Sequence, residues 1–343
     1  MMNLQGKRVL FVGPRFFGYE MEVLRELQRR GATVDWLQDR PFDKPLQTAV
    51  TRVAPRWILP MADRLYRKQL ERFGATHYDL LFVVNGQTLS PQVLKEIRLA
   101  YPAARTVLYM WDSLDNRRGV AENLDQFDSL FSFDPVSCRQ YGMKLRPLFF
   151  SPGFERPPAE DFDHHLSFIG TVHSDRYAVV SRLRDGLPPA LHAYWYLYLQ
   201  APWVYHAYRL VKPAMRRARI DEFKFVPLPK ATVQQVFARS RAVIDIEHPR
   251  QRGLTMRTLE TLGSFKKLVT TNRHVLDYDF YRPANVCVID RKAPSISEEF
   301  LATPYEPLDP QLYRKYSIAG WMDEFLQDDG QRKERSNLGT PGA

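Results

Sequence analysis

Cysteine is nearly absent, with only Cys138 and Cys287 in 343 residues. Two thiols cannot form a disulfide framework or a cysteine-rich zinc site, so reduced cysteines are expected. Long apolar runs are also missing. Residues 190–208 (ALHAYWYLYLQAPWVYHAY) carry no charge, yet they include His192, Gln200, Pro202 and His206. Tyr194, Tyr196 and Tyr198 alternate with Ala193, Trp195, Leu197 and Leu199, which is the period of a strand and not of a lipid-facing helix. The opening residues, MMNLQGKRVLFVG, lack the apolar core of a secretory signal. These absences predict a cytoplasmic protein. Disorder is excluded by 44% hydrophobic and 13% aromatic residues.

Negative charge is the scarcer sign: 39 acids stand against 49 Lys and Arg, a net +10. Two stretches supply most of the excess. Residues 50–72 hold Arg52, Arg56, Arg64, Arg67, Lys68 and Arg72 against Asp63 and Glu71; residues 201–219 hold Arg209, Lys212, Arg216, Arg217 and Arg219 with no acid. Large apolar side chains accompany both, Trp57, Ile58, Leu65 and Tyr66 in one, Trp203, Tyr205, Tyr208 and Leu210 in the other. Such segments suit the anionic inner face of a membrane or, equally, form solvated helix faces. No nucleic-acid-binding motif accompanies the charge, so no nucleic-acid partner is expected.

The apolar pattern alternates strand and helix. Strands are predicted at 7–13, 33–39, 78–86, 106–112, 129–134 and 145–150, with a helix from Tyr19 to Arg30, a basic helical insertion, and a helix opened by Ser90-Pro91. Pro147, Pro152, Pro157 and Pro158 mark a linker over 151–163. A second set follows: strands at 166–172, 191–199, 223–228, 242–248, 267–272 and 285–290, and helices at 174–187, 232–240 and 255–263. The fold class is therefore α/β, two Rossmann-like doubly wound lobes over 1–150 and 164–306 facing across a cleft. A helix over 307–327 can cross back to the first lobe, and 328–343 reads as a disordered tail.

Ligands of such sheets bind beyond the carboxyl ends of the strands, so the loops after strands are where function is sought. The richest is IEHPRQRGLTMRTLETLGSFKKLVTTN (246–272). Thr255 can cap a helix whose free N–H groups and positive dipole end suit an anion. Arg257 in the first turn and Glu260 three residues on share a face. Together they fit a nucleotide diphosphate, with the guanidinium on phosphate and the carboxylate on ribose hydroxyls. The plain alternative is a capped helix with a surface Arg–Glu pair.

With FFGYE (16–20), YMWDSLDN (109–116), SFDP (132–135), FIGTVHSDR (168–176) and GLTMRTLETLG (253–263) in order, the chain resembles GT-B-fold glycosyltransferases of bacterial capsule, exopolysaccharide and lipopolysaccharide assembly, including the CgeB-like group. The resemblance implies transfer of a sugar from a nucleotide-sugar donor to a saccharide or lipid-linked saccharide. It matches Glu260 to the glutamate that holds the donor ribose, but Arg252 stands where a second glutamate is usual. It places donor phosphates at Gly170 and Thr171, with His173 and Arg176 beside them and a helix opened at Ser174. Pro227 and Leu228 would lie beneath the nucleobase.

An inverting transfer needs a base near the acceptor hydroxyl. Asp112 is the candidate, beside Trp111 as a stacking surface; Asp115 and Asp134 compete, and a turn or cap role for Asp112 is the alternative. Arg15 and Asn85 would bind acceptor on the same rim. Asp161-Phe162-Asp163 and Asp277-Tyr278-Asp279 match a metal-binding Asp-x-Asp pattern only formally, and no His/Cys spacing suits zinc. No metal and no cofactor beyond the nucleotide-sugar co-substrate is expected, since helix dipoles and arginine can stabilise a leaving diphosphate. A nucleotide-sugar epimerase on the same fold and a non-catalytic sugar-binding protein remain open alternatives.

Overall fold

The structure is a computed structural model and describes residues 2–40, 55–155 and 162–328. Residues 50–54 of the first basic stretch, 156–161 of the linker, including Asp161, and the tail from 329 lie outside the described residues. The chain divides into two units, one of Met1–Arg146 with Met322–Ala343 and one of Pro147–Trp321.

The first unit contains β1 (Arg8–Pro14), α1 (Tyr19–Arg29), β2 (Thr33–Asp39), α2 (Pro55–Phe73), β3 (Leu80–Val84), α3 (Pro91–Ala100), β4 (Arg105–Met110), β5 (Ser129–Ser132), α4 (Pro135–Tyr141) and β6 (Lys144–Leu145). All pairings are parallel, in the order β2-β1-β3-β4-β5-β6. Alternation decides the two faces. Leu10, Val12, Leu81, Val83, Leu108 and Met110 pack under α2 and α3, against Ile58, Ala62, Tyr66, Val93, Leu94 and Ile97. The opposite side chains, Phe82, Tyr109 and Phe131, receive the ring of Phe325, with centroids 5.3, 5.3 and 4.8 Å away. The basic insertion is thus an amphipathic helix seated on the core, with Arg64, Arg67, Lys68 and Arg72 exposed. Of these, Arg67 pairs with Glu96 at 2.8 Å.

The second unit contains β7 (His164–Thr171), α5 (Arg176–Asp185), β8 (Ala193–Tyr198), α6 (Pro202–Val211), β9 (Phe223–Lys224), α7 (Lys230–Ala238), β10 (Ser240–Asp245), α8 (Met256–Gly263), β11 (Lys267–Thr270), β12 (Val286–Val288), α9 (Glu298–Ala302) and α10 (Pro310–Lys315), and α11 (Ile318–Gln327) starts in it. The order β12-β11-β10-β7-β8-β9 is again wholly parallel. The alternation read in 193–199 holds: Leu197 and Leu199 enter one core, with Ala193 and Trp195 beside them, and Tyr194 and Tyr196 pack on the other face.

Several boundaries differ from the sequence reading, each for a local reason. The strand expected over 145–150 joins β5 only at Lys144–Leu145, because Pro147 has no N–H to donate. The strand expected over 223–228 stops at Lys224, ahead of Pro227 and Pro229. The helix expected from Ser174 begins at Arg176; Ser174 is left-handed (φ 50) and makes no cap, and Asp175 precedes the helix. The last helix is two helices, since Ser317 leaves helical geometry to bridge Phe150. Among the described residues no helix is long and apolar enough to cross a membrane.

Candidate functional site

In the second sheet the chain runs from β7 outward to β9, then returns to β10 and runs the other way, so β7 and β10 flank the topological switch point. The loops leaving their carboxyl ends carry most of the expected donor residues. Thr255 caps α8 by accepting the Thr258 N–H at 3.2 Å. Its hydroxyl donates to Asp245 at 2.5 Å, and the Thr258 hydroxyl donates to the same oxygen at 2.7 Å. Asp245, the buried last residue of β10, therefore fixes where α8 starts.

Arg257 and Glu260 come together on one face, with the guanidinium 2.9 Å from a carboxylate that is nearly fully buried. Arg257 also donates to the carbonyl of Ile169 at 3.3 Å and lies over the Phe237 ring at 4.8 Å. That brings α8 to the end of β7, beside Gly170 and Thr171. A Cβ at Gly170 would stand 2.9 Å from the Phe168 ring and 3.6 Å from the Arg176 guanidinium, so a side chain there does not fit without displacing the ring. Arg176 spans the switch point, donating to Ile246 at 2.5 Å and to Thr171 at 3.1 Å. Its burial works against the charged form, and nearby Asp245 works for it.

His173 is half-buried. Burial first, then Arg176, His248 and Lys212, push it down to about 4, so it is neutral near pH 7. Its ring lies 6.0 Å from that of His248. Pro227 is exposed, and Leu228 packs with Ile169, Val233 and Phe237. Sequence reasoning singled out the loop 247–260 but missed the role of its first residues. Glu247, buried, accepts from Thr271 at 2.5 Å and is ion-paired with Arg291, which also holds Asp175 at 2.9 Å. These partners lie 24 to 116 positions apart, and no local spacing could have announced them.

The first sheet reverses between β1 and β3, and the remaining candidates lie at that end or beside it. Asn85 is buried and left-handed (φ 63), and its side-chain oxygen accepts the Trp111 N–H at 3.1 Å. Arg15 is exposed and lies 5.9 Å over the Trp36 ring. Trp111 is half-buried, with Phe16 5.7 Å from it. Phe16 and Phe17 are 42% and 72% exposed, an aromatic ledge that enters the sequence analysis only through the resemblance of FFGYE. Asp112 accepts from Ser113 at 2.9 Å and Asn116 at 3.0 Å, and pairs with Arg117 at 2.8 Å. It therefore does fill the turn-forming role that was its alternative. Asp134 is the buried cap of α4, and Asp115 is exposed.

Asp163 pairs with Arg239, and Asp279 with Lys315 and Tyr316, so neither formal Asp-x-Asp pattern presents its second carboxylate freely. Among the described residues, no three His, Cys, Asp or Glu side chains gather as metal ligands would.

No protein-family profile matches the sequence, and no curated protein matches it. Solved structures do. The chain is similar to Anabaena HepE (Alr3699) in complex with UDP and glucose, at 12% identity and TM-score 0.56 over 93% of this chain and 98% of that one. It is similar to a glycosyltransferase from Rickettsia africae (9%, TM-score 0.57, 93% and 97%). It is also similar to the α,α-trehalose 6-phosphate synthase of Burkholderia multivorans (11%, TM-score 0.55, 94% and 96%). With two parallel six-stranded α/β sheets of Rossmann type, the chain has the GT-B fold that these neighbours share.

Proposed function

We propose that the protein is a metal-independent glycosyltransferase of hexosyl type, moving a sugar from a nucleotide-sugar to a saccharide or lipid-linked saccharide in bacterial surface polysaccharide synthesis. One observation carries the reading: Arg257 and Glu260 project together from the capped start of α8, and Arg257 reaches the strand end at Ile169. A diphosphate there meets the first-turn amides of α8, Arg257, Arg176, His173, and the backbone of Gly170 and Thr171. Glu260 takes the ribose hydroxyls, Thr255 holds the helix start, and Pro227 and Leu228 border the base.

In the transfer, an acceptor hydroxyl oxygen bonds to the anomeric carbon as its bond to the diphosphate breaks, and the hydroxyl proton passes to a base. Asp112 is that base, held by Arg117, and Arg15, Asn85 and Trp111 shape the acceptor rim. The anionic inner face of the cytoplasmic membrane is the working surface. The 201–219 segment, with Trp203, Leu210 and Val211 exposed among arginines, suits it better than 50–72, whose described apolar residues are largely core.

Thermal shift with UDP, GDP, ADP and TDP tests the donor site, because a ligand of the native state raises its melting point. One nucleotide should stabilise the protein by several degrees, and Glu260→Ala should abolish that response, with Glu260→Gln as a control for folding. No shift with any of the four, or a full shift in Glu260→Ala, overturns the reading. Conversion of a nucleotide-sugar without acceptor would instead indicate an epimerase.

A further inference from the structure

His173 and His248 belong to loops 75 positions apart, yet their rings meet at the carboxyl ends of β7 and β10, 6.0 Å apart and inclined by 33°. The two imidazoles are not equivalent. The N–H of Arg250 donates to Nδ1 of His248 at 3.3 Å, so that nitrogen is an acceptor and the ring proton belongs on Nε2. His248 therefore presents Nε2–H as its donor. His173 has no such lock: its Nδ1 faces the Ser174 hydroxyl at 3.2 Å, a group that can donate or accept.

The charges facing His173 come from every side. Arg176 approaches from α5, His248 from the loop after β10, and Lys212 from the end of α6, where its ammonium donates to the Ser174 carbonyl at 3.0 Å. The acid that faces it, Asp175, is ion-paired with Arg291. A second proton on this imidazole meets like charge and burial until an anion arrives. The backbone at Ser174 is left-handed, a conformation uncommon for serine.

We propose that His173 and His248 receive the donor's diphosphate together, His248 by donating a fixed hydrogen bond and His173 by taking up a proton from solvent as the anion binds. Donor binding is then proton-linked, and the protonated His173 leaves a counter-charge beside the diphosphate that departs. The inference rests on the donor site proposed above and adds the regulation of that site by pH. An opposite charge within contact distance raises an imidazole by about 1–3 units. Affinity should accordingly increase as pH falls from 7.5 to 5.5, by about fourfold for a two-unit rise and about 25-fold for three.

Calorimetry of the full chain tests it, with UDP-, GDP-, ADP- and TDP-glucose as probes, since their diphosphates do not titrate in this range. The tightest binder is measured at pH 7.5 and 5.5 in two buffers of different ionisation enthalpy, which counts protons taken up. Wild type should take up a substantial fraction of a proton at pH 5.5 and little at 7.5. His173→Gln should take up none and show a pH-independent Kd. His248→Gln should bind more weakly at both pH values and still take up the proton. Binding with no proton uptake in wild type, or with equal uptake in His173→Gln, overturns the inference and leaves the donor site standing. Binding of none of the four overturns both.

Discussion

The two sheets share an architecture and diverge in chemistry at their carboxyl ends. Beyond the second sheet, Arg176, Arg257, Lys212 and Arg291 gather with two histidines, over carboxylates that are buried and already bonded. Beyond the first, Phe16, Phe17 and Trp111 offer ring faces, and Arg15 lies over Trp36. Parallel strands place helix N-termini at both ends, so topology alone makes both hospitable to ligands. Side chains then set the two ends apart: one is lined by cations, the other by aromatic ring faces. Asp112 sits on the second kind of rim, paired with Arg117 at 2.8 Å.

The largest expected effect comes from removing the cation that distinguishes the two ends. Arg257→Ala should weaken nucleoside diphosphate binding about 10- to 100-fold, the worth of one charge-assisted contact. Arg257→Lys should recover only part, because an ammonium cannot both reach Ile169 and present a fork to phosphate. Arg117→Ala, at the other sheet, should leave the same dissociation constant within about twofold. Titration calorimetry reads all three, and equal losses in Arg257→Ala and Arg117→Ala would erase the contrast.

Part of this contrast was legible in the sequence, for physical reasons that also mark where legibility ended. Buried parallel strands announce themselves as short apolar runs, so LLFVV lies inside the expected 78–86, while SRAVID overlaps the expected 242–248 but starts two residues earlier and ends at Asp245. The Thr255 cap and the Arg257–Glu260 pair are local, set by spacing on one helix. Long-range pairings leave no such trace. Asp245 fixes the start of α8, and Glu247 holds Arg291, yet both read simply as acids near a strand end. His248 was equally silent, because its partner His173 comes from another loop. Backbone strain was not readable either. Of the five non-glycine residues with positive φ among the described residues, Phe17, Arg40, Asn85 and Ser174 follow carboxyl ends of strands, but nothing in those residue types foretold it.

A middle-sized effect sharpens the electrostatic side of the comparison without any ligand. His173 is held near 4, against about 6.5 when unfolded. The unfolded chain therefore binds the extra proton first as pH falls, and stability drops between about 6.5 and 4. Near pH 5 the loss should be about 1–2 kcal/mol. Urea unfolding at pH 7 and pH 5 measures it, and His173→Gln should flatten that difference. An unchanged difference in the variant would mean the cations around His173 are better screened than their geometry implies.

The smallest effect probes the aromatic end. Phe17 is left-handed (φ 52) and largely exposed, so its ring gains little from burial while its backbone pays a steric penalty of about 1–2 kcal/mol. Glycine adopts that conformation freely but loses more entropy on folding, about 0.5–1 kcal/mol. Phe17→Gly should therefore raise stability slightly, by about 0.5–1 kcal/mol in urea unfolding, and leave donor affinity untouched. A ring so exposed is available for a contact made outside the fold. Lower turnover onto acceptor in a variant of greater stability would assign that contact to the acceptor. A loss of stability in Phe17→Gly would show instead that the ring is held by its neighbour Phe16, and that the ledge is packing.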